Sequence, residues 1–409
     1  MAALWGGLAT AAIGDQLYAV ALSWIAVGLF GSAAGYLTAL QAAIVLVTAL
    51  LGGHWADRVE HRRLMITADM TRAAVLVSVV AVWGILGHPP AWGLVVAVVV
   101  LAVGQALFRP ALQAILPDLV PIPALLPATN ALLDTTDRIA RLLGPGLVAL
   151  LAASLPMMHF LSLDAAAFLI SAAAVMLIGR LRRVTVTAHR SAGPFLHSVS
   201  HGFRAMWGQP LLAYVLLITG TLNSLWYTAL FLGLPLLIKQ QGIVGPGGTG
   251  LGAYGLVISC YGSTNLLTTI IVGGRGVPSR PSRLMCGGNL IFGAGILLLG
   301  AVMLLPMPAA ARLPCLLATA AFAAIGGPMS DITIATLRQT LLPRRDIAPA
   351  MRAYLVMNDL GLLATMLIAP PALNRFGIGP VVMMGGAIVA TMAIIGLLRL
   401  PSRLAVQLS

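Results

Sequence analysis

The sequence predicts an all-α membrane protein: twelve transmembrane helices forming two pseudo-symmetric six-helix bundles. Three observations carry this. Of the 409 residues, 59% are hydrophobic and 9% charged, whereas a soluble domain carries about 25% charged residues. The apolar residues fall in runs of about 20, the length that crosses a bilayer. The second half also repeats landmarks of the first. Gly52–Gly53 leads to Arg63–Leu64–Met65, and Gly273–Gly274 leads to Arg283–Leu284–Met285. Gln113–x–Ile115–Leu116–Pro117 returns as Gln339–x–Leu341–Leu342–Pro343.

The first helix, Leu4–Phe30, begins almost at Met1 with no basic segment before it, so no cleavable leader is expected. The second and third, Ala33–Leu51 and Leu64–Leu86, flank a short polar link, Gly52 to Arg63. A link this short forces a helical hairpin, and its two glycines let the backbone turn. Asp57 can accept hydrogen bonds from backbone amides or an arginine, while Arg58, Arg62 and Arg63 hold the link at an anionic membrane face. Trp92–Leu116, Leu125–Ala153 and Met157–Gly179 complete a first bundle over residues 1–179.

Residues 180–209 form a linker. Phe195, Val199, Phe203 and Met206 recur at helical spacing there, which predicts a short amphipathic helix on the inner leaflet. His197 and His201 stand four apart, but no third ligand accompanies them, and the reading is a solvated face without metal. The second bundle, residues 210–409, comprises Leu211–Ile238, Gly250–Gly273, Leu284–Leu305, Leu313–Leu337, Ile347–Pro370 and Ile378–Leu400.

Loop charge gives the expected orientation. Alternate loops hold Arg58, Arg62 and Arg63, then Arg180, Arg182, Arg183, Arg190 and Arg204, then Arg275, Arg280 and Arg283, then Arg338, Arg344 and Arg345, with Arg399 and Arg403 in the tail. The opposite loops hold only Lys239, Arg312 and Arg375. Both termini and the central linker are therefore expected in the cytoplasm, in a bacterial inner membrane. The net charge of +13 is spread between apolar runs rather than gathered in a patch, which argues against nucleic acid. Cys260, Cys286 and Cys315 lack metal-ligand spacing and read as packing residues.

Ionisable groups inside hydrocarbon are costly and mark function. Asp15 falls about 17 Å into the first helix at 1.5 Å per residue, close to midplane. A carboxyl that exchanges a proton as its exposure changes is what proton coupling requires. The fifth helix carries Asp134, Asp137, Arg138 and Arg141 within an arc of about 100°, joined by Asn130. Asp134–Arg138 and Asp137–Arg141 are i,i+4 pairs with the acid first, the better order. Gly144–Pro145 follows and can bend that helix. Asp69 and Arg72, an i,i+3 pair, read as bracing, and Asp164 as structural. Further polar residues that can line a cavity are Tyr18, Asn223, Trp226, Tyr227, Tyr261, Asn265, Asp331, Asn358 and Asp359.

The link Gly53, Asp57, Arg58, Arg62, Arg63 resembles the signature loop of the major facilitator superfamily, with His61 where that family has glycine. Gly14–Asp15, Asp69–x–x–Arg72, Phe108–Arg109–Pro110–Ala111, Leu116–Pro117–Asp118, Asn130 and Gly144–Pro145 are similar to its enterobactin-exporter and macrolide-efflux branch. The likeness is dense in the first half and thin in the second, where Val277–Pro278–Ser279 replaces the aspartate-bearing loop. It implies two rocking bundles with substrate between them near midplane. It implies gating by Gly53, Asp57, Arg58, Arg62, Arg63, Arg109 and Asp118, and proton coupling through Asp15, Asp134 and Asp137. The glycine–proline motif of the fifth helix leans towards antiport. The expected activity is proton-driven export of a small organic molecule, a cationic drug or a siderophore-like acid, by a monomer without cofactor. An importer or lipid flippase on the same fold is the alternative. No nucleophile–base set, zinc-protease motif or phosphate loop supports an enzyme.

Overall fold

The computed structural model describes residues 2–56, 59–120, 125–181, 195–275 and 280–401. Asp57 and Arg58, much of the central linker, the Val277–Pro278–Ser279 stretch and the tail with Arg403 lie outside the described residues.

The chain runs α1 (Ala2–Phe30), a 3₁₀ turn (Gly31–Ala34), α2 (Gly35–Ala56), α3 (His61–Leu86), α4 (Ala91–Leu119), α5 (Leu126–Leu151) and α6 (Met158–Leu181). The amphipathic α7 (Phe195–Trp207) follows. Then come α8 (Pro210–Tyr227), a π-helical segment (Thr228–Gly233) and α9 (Leu234–Gln241). A 3₁₀ turn (Pro246–Gly248) leads to α10 (Gly250–Gly273), α11 (Pro281–Leu304), α12 (Ala309–Leu341), α13 (Arg344–Phe376) and α14 (Ile378–Arg399).

The fold class is the expected one. Among the described residues, 10 segments are long and apolar enough to cross a membrane, the first of them running through both α1 and α2. α5 is not one of these, because Asp134, Asp137, Arg138 and Arg141 interrupt it. α8, the π segment and α9 form one rod, since Tyr227 and Leu234 keep right-handed helical angles at both joins. Pro235 explains the π turn. It has no amide to donate, and its ring crowds the carbonyl one turn back, so the helix widens there. α12 and α13 are each 33 residues long and outrun their apolar runs at both ends. Backbone groups at the interface are best satisfied within the helix, so polar residues join it, and Pro370–Pro371 are absorbed.

The chain divides into two compact units. One comprises Met1–Gly31, Leu40–Ala192 and Val244–Gly255, the other Ser32–Ala39, Gly193–Ile243 and Leu256–Ser409. In the first, α1 packs on α5 and α6, and α3 on α4 and α6. In the second, α8 packs on α13 and α14, and α11 on α12 and α14. Each unit thus has the same pairing order, the structural form of the sequence repeat.

Small residues allow these approaches. A Cβ on Gly7 would stand 2.6 Å from that of Ala174, and one on Gly14 2.7 Å from that of Ala167, which seats α1 on α6. In the second unit Gly293 meets the Gly386 carbonyl and the Ala390 backbone, seating α11 on α14. α7 buries Ser198, Val199 and Met206 and leaves Leu196 and Trp207 exposed. Its buried face meets α13: His201 Nε2 lies 2.9 Å from Asp346 Oδ1, and Arg352 donates to Ser198 Oγ at 2.5 Å.

Candidate functional site

In the first unit the intramembrane charges converge on Arg72 of α3. Arg72 donates from Nη1 to Asp69 Oδ1 at 3.4 Å, and both side chains are almost wholly buried, 6% and 1% exposed. The guanidinium carbon lies 5.6 Å from the ring centre of Phe108 on α4 and 5.1 Å from that of Phe168 on α6. Aromatic faces stabilise a desolvated cation. A Cβ on Gly104 of α4 would collide with Arg72 Nε, so glycine there makes room for the arginine.

Asp164 of α6 is 0% exposed, and neither of its oxygens has a hydrogen-bond partner. It presses against α1, where a Cβ on Gly14 would stand 2.7 Å from its Oδ1. Asp15, next along α1, is half-buried and lies within electrostatic reach of Arg72, Arg109, Asp137 and Asp164. Tyr18, one turn further, is buried within reach of both Asp15 and Asp164.

Arg109 of α4 donates from Nη2 to Asp137 Oδ2 of α5 at 3.2 Å, with side chains 64% and 37% exposed. Asp137 therefore pairs across helices rather than along its own helix with Arg141. Asp15 stands between a buried cluster (Arg72, Asp69, Asp164) and this more exposed pair.

Sequence spacing singles out Asp15 and the α5 stripe and reads Asp69, Arg72 and Asp164 as bracing. It has no means of bringing α6 against α1 at that height. The available signal was the run of alanines after Asp164, which permits close helix approach.

Other anticipated residues are dispersed within the first unit. Asn130 is half-buried, its Oδ1 without a partner, while Arg138 is half-buried and Arg141 exposed. Gly144 packs onto Gln16 of α1, and the Pro145 carbonyl would lie 2.9 Å from a Cβ on Gly255 of α10. Asp134 lies in α5, Asp118 in α4 and Gly53 in α2. Arg62 donates from Nε to the Val175 carbonyl at 3.3 Å and from Nη2 to that of Met176 at 2.9 Å, tying α3 to the C-terminal end of α6. A cation suits the negative end of that helix. Arg63 pairs with Glu60 at 2.8 Å.

In the second unit an aromatic group surrounds the π segment. The Trp226 ring lies 4.9 Å from Tyr227, 5.0 Å from Phe231 and 6.1 Å from Tyr261 of α10, centre to centre. Trp226 Nε1 is buried without a partner. Gly327 of α12 faces Asn265, whose Nδ2 would lie 3.1 Å from a Cβ there. Asp331, one turn along α12, is exposed and within electrostatic reach of Arg338 and Tyr354, and the Arg338 guanidinium caps the Tyr354 ring at 4.1 Å. Asn223 is half-buried on α8, and Asn358 donates to Asp359 at 3.3 Å on α13.

The family model described as Major Facilitator Superfamily matches residues 4–366. The chain belongs to the Major Facilitator Superfamily. It is accordingly a multi-pass membrane transporter and not an enzyme. Solved structures share the fold. A POT family transporter in complex with a thioalcohol-conjugated peptide has a TM-score of 0.72 at 13% identity, covering 96% of this chain and 95% of that one. A bacterial homologue of the iron transporter ferroportin, inward-facing, has a TM-score of 0.73 at 13% identity, covering 97% and 98%. The nucleoside transporter NupG (D323A mutant) has a TM-score of 0.72 at 11% identity, covering 97% and 100%. No curated protein matches the chain.

Proposed function

We propose that this superfamily member exports a small organic molecule across the bacterial inner membrane by proton antiport, through alternating access. The observation that carries the reading is Asp15, a midspan carboxyl within reach of both Arg72 and the exposed Arg109–Asp137 pair. When Asp15 is ionised it competes with Asp137 for Arg109. When it is protonated, Asp137 keeps that arginine. Proton binding thus changes an ion pair between α4 and α5, the kind of differential contact a coupled cycle needs. Asp134, whose side chain lies outside the described residues, is read from its sequence position as an accessory acid.

The resemblance of the first half to enterobactin exporters and macrolide efflux pumps supports export. So does the Gly144–Pro145 step on α5. Four aromatic rings beside the π segment support a substrate that bears a ring, with Asn223, Asn265, Asp331, Asn358 and Asp359 as polar contacts. The gate is assigned to Gly53, Asp57, Arg58, Arg62, Arg63, Arg109 and Asp118, with both termini cytoplasmic and the chain monomeric.

Proteoliposomes with an imposed pH gradient test this. Asp15→Asn should abolish gradient-driven transport and retain substrate exchange. Full coupling in that variant, or wild-type uptake running with the proton instead of against it, would overturn the reading.

A further inference from the structure

We propose that His201 and Asp346 form a proton-operated clasp that seats α7 on α13. The clasp belongs to the linker helix and not to the transport cycle, so it stands whichever way substrate moves.

α7 is only 13 residues long, a length at which a helix is marginal in water by itself. It therefore depends on its seat. The buried sector of α7 is Ser198, Val199, Gly202 and Met206, and it offers little apolar area. Gly202 lies against the Pro349 carbonyl, and Ser198 accepts from Arg352. His201 stands at the edge of this sector, with Nε2 2.9 Å from Asp346 Oδ1. The two side chains are 51% and 12% exposed, so the imidazole meets water while the carboxylate is shielded. Asp346 lies in the first turn of α13, where an acid suits the positive end of the helix. Arg345 Nε is 3.9 Å from the same oxygen and its side chain is 87% exposed, a contact that contributes little. His201 is thus the main partner of Asp346.

Imidazole ordinarily changes charge between about pH 5 and 8. Neutral, it can donate one hydrogen bond to Asp346. Protonated, it makes the same bond with charge assistance, roughly twice as strong. Acidification therefore tightens the seat, and alkalinisation loosens it. The other charged and titratable groups on this side are Arg344, Arg345, Arg352 and Tyr354 of α13, Arg338 of α12, Tyr214 of α8, and His197 and Arg204 of α7 itself. Arginine keeps its charge and tyrosine its proton over that range. Arg352 is engaged by Ser198, and Arg338 lies over the Tyr354 ring. His197 is the remaining group that can titrate there, and substituting it separates the two histidines.

Met206 is 0% exposed and takes no part in the clasp, so a cysteine there reacts with maleimide only when α7 lifts. The test uses full-length protein in detergent, with Cys260, Cys286 and Cys315 replaced by alanine. Leu196→Cys, at an exposed position of the same helix, corrects for the pH dependence of the thiol reaction. The ratio of the Met206→Cys rate to the Leu196→Cys rate should rise about three- to fivefold from about pH 5.5 to about pH 8. His201→Gln keeps a donor and loses the charge, and it should flatten the rise, as should Asp346→Asn. His201→Lys should hold the ratio low at both pH values, and His197→Gln should leave the rise unchanged. Val199→Cys, also buried, gives the same reading if Met206→Cys does not fold. A ratio that is equal at both pH values with the clasp intact, or one that still rises in His201→Gln, would overturn the proposal.

Discussion

At the residue scale, Arg72 governs the first unit. A guanidinium at this depth costs about 2.5–3.5 kcal/mol even by the mildest insertion scale. It is held by one carboxylate, two aromatic faces and a missing side chain at Gly104. Gly104→Ala would place a Cβ against Nε, with Cγ at 3.0 Å and Cδ at 3.1 Å, so the buried arginine would have to shift. It should destabilise by about 1–3 kcal/mol, the usual cost of overpacking, and thermal unfolding in detergent will read it. Arg72→Met strands a buried acid and should cost about 3–5 kcal/mol. Adding Asp69→Asn should recover part of that loss, because the stranded group is then neutral. Equal melting of the single and double variants would mean that the pair contributes nothing.

At the element scale, two features depend on single residues. The π segment follows from Pro235, and it sets the rotation of Trp226 and Tyr227 relative to everything beyond Gly233. Pro235→Ala restores an amide and should let the segment close to an α turn, turning those rings away from Tyr261. Near-ultraviolet circular dichroism, sensitive to ring packing, should change while far-ultraviolet helix content does not. α7 is held on α13 by close backbone contact: a Cβ on Gly202 would collide with the Pro349 carbonyl. Gly202→Val should therefore lift α7. A cysteine placed at Ser198, which is buried, would then react with maleimide, and it should be protected when Gly202 is kept. Labelling that is the same in both backgrounds would show that α7 does not depend on this contact.

At the scale of the whole molecule, the two units share a pairing order but not a charge distribution. Asp15, Asp69, Arg72, Arg109, Asp137 and Asp164 all belong to the first, while the aromatic group and π segment belong to the second. On the proposed reading, proton chemistry belongs to one repeat and recognition of an organic ring to the other. Substituting Trp226 with Ala should raise the substrate concentration needed for half-maximal transport by about tenfold or more, the loss of one or two kcal/mol of ring contact. It should leave the number of protons moved per substrate unchanged. A change in that ratio would mean that the halves do not divide the work in this way.

Much of this was legible in the residues alone. Hydropathy length, the repeat offset and the motif around Arg62 and Arg63 specify an all-helical membrane fold, because a bilayer leaves a chain few other ways to satisfy its backbone. Asp15 and the α5 stripe stood out because charge in hydrocarbon is rare. Which charges meet was another matter. Asp137 joined Arg109 and not Arg141, and Asp164 came to rest against Gly14. The spacing along one helix says which residues share a face, but the partner across an interface is chosen by how small residues let two helices slide and rotate. That choice was made only when α1, α3, α4 and α6 packed together, and it turned residues that read as bracing into a nest of acids sharing a single arginine.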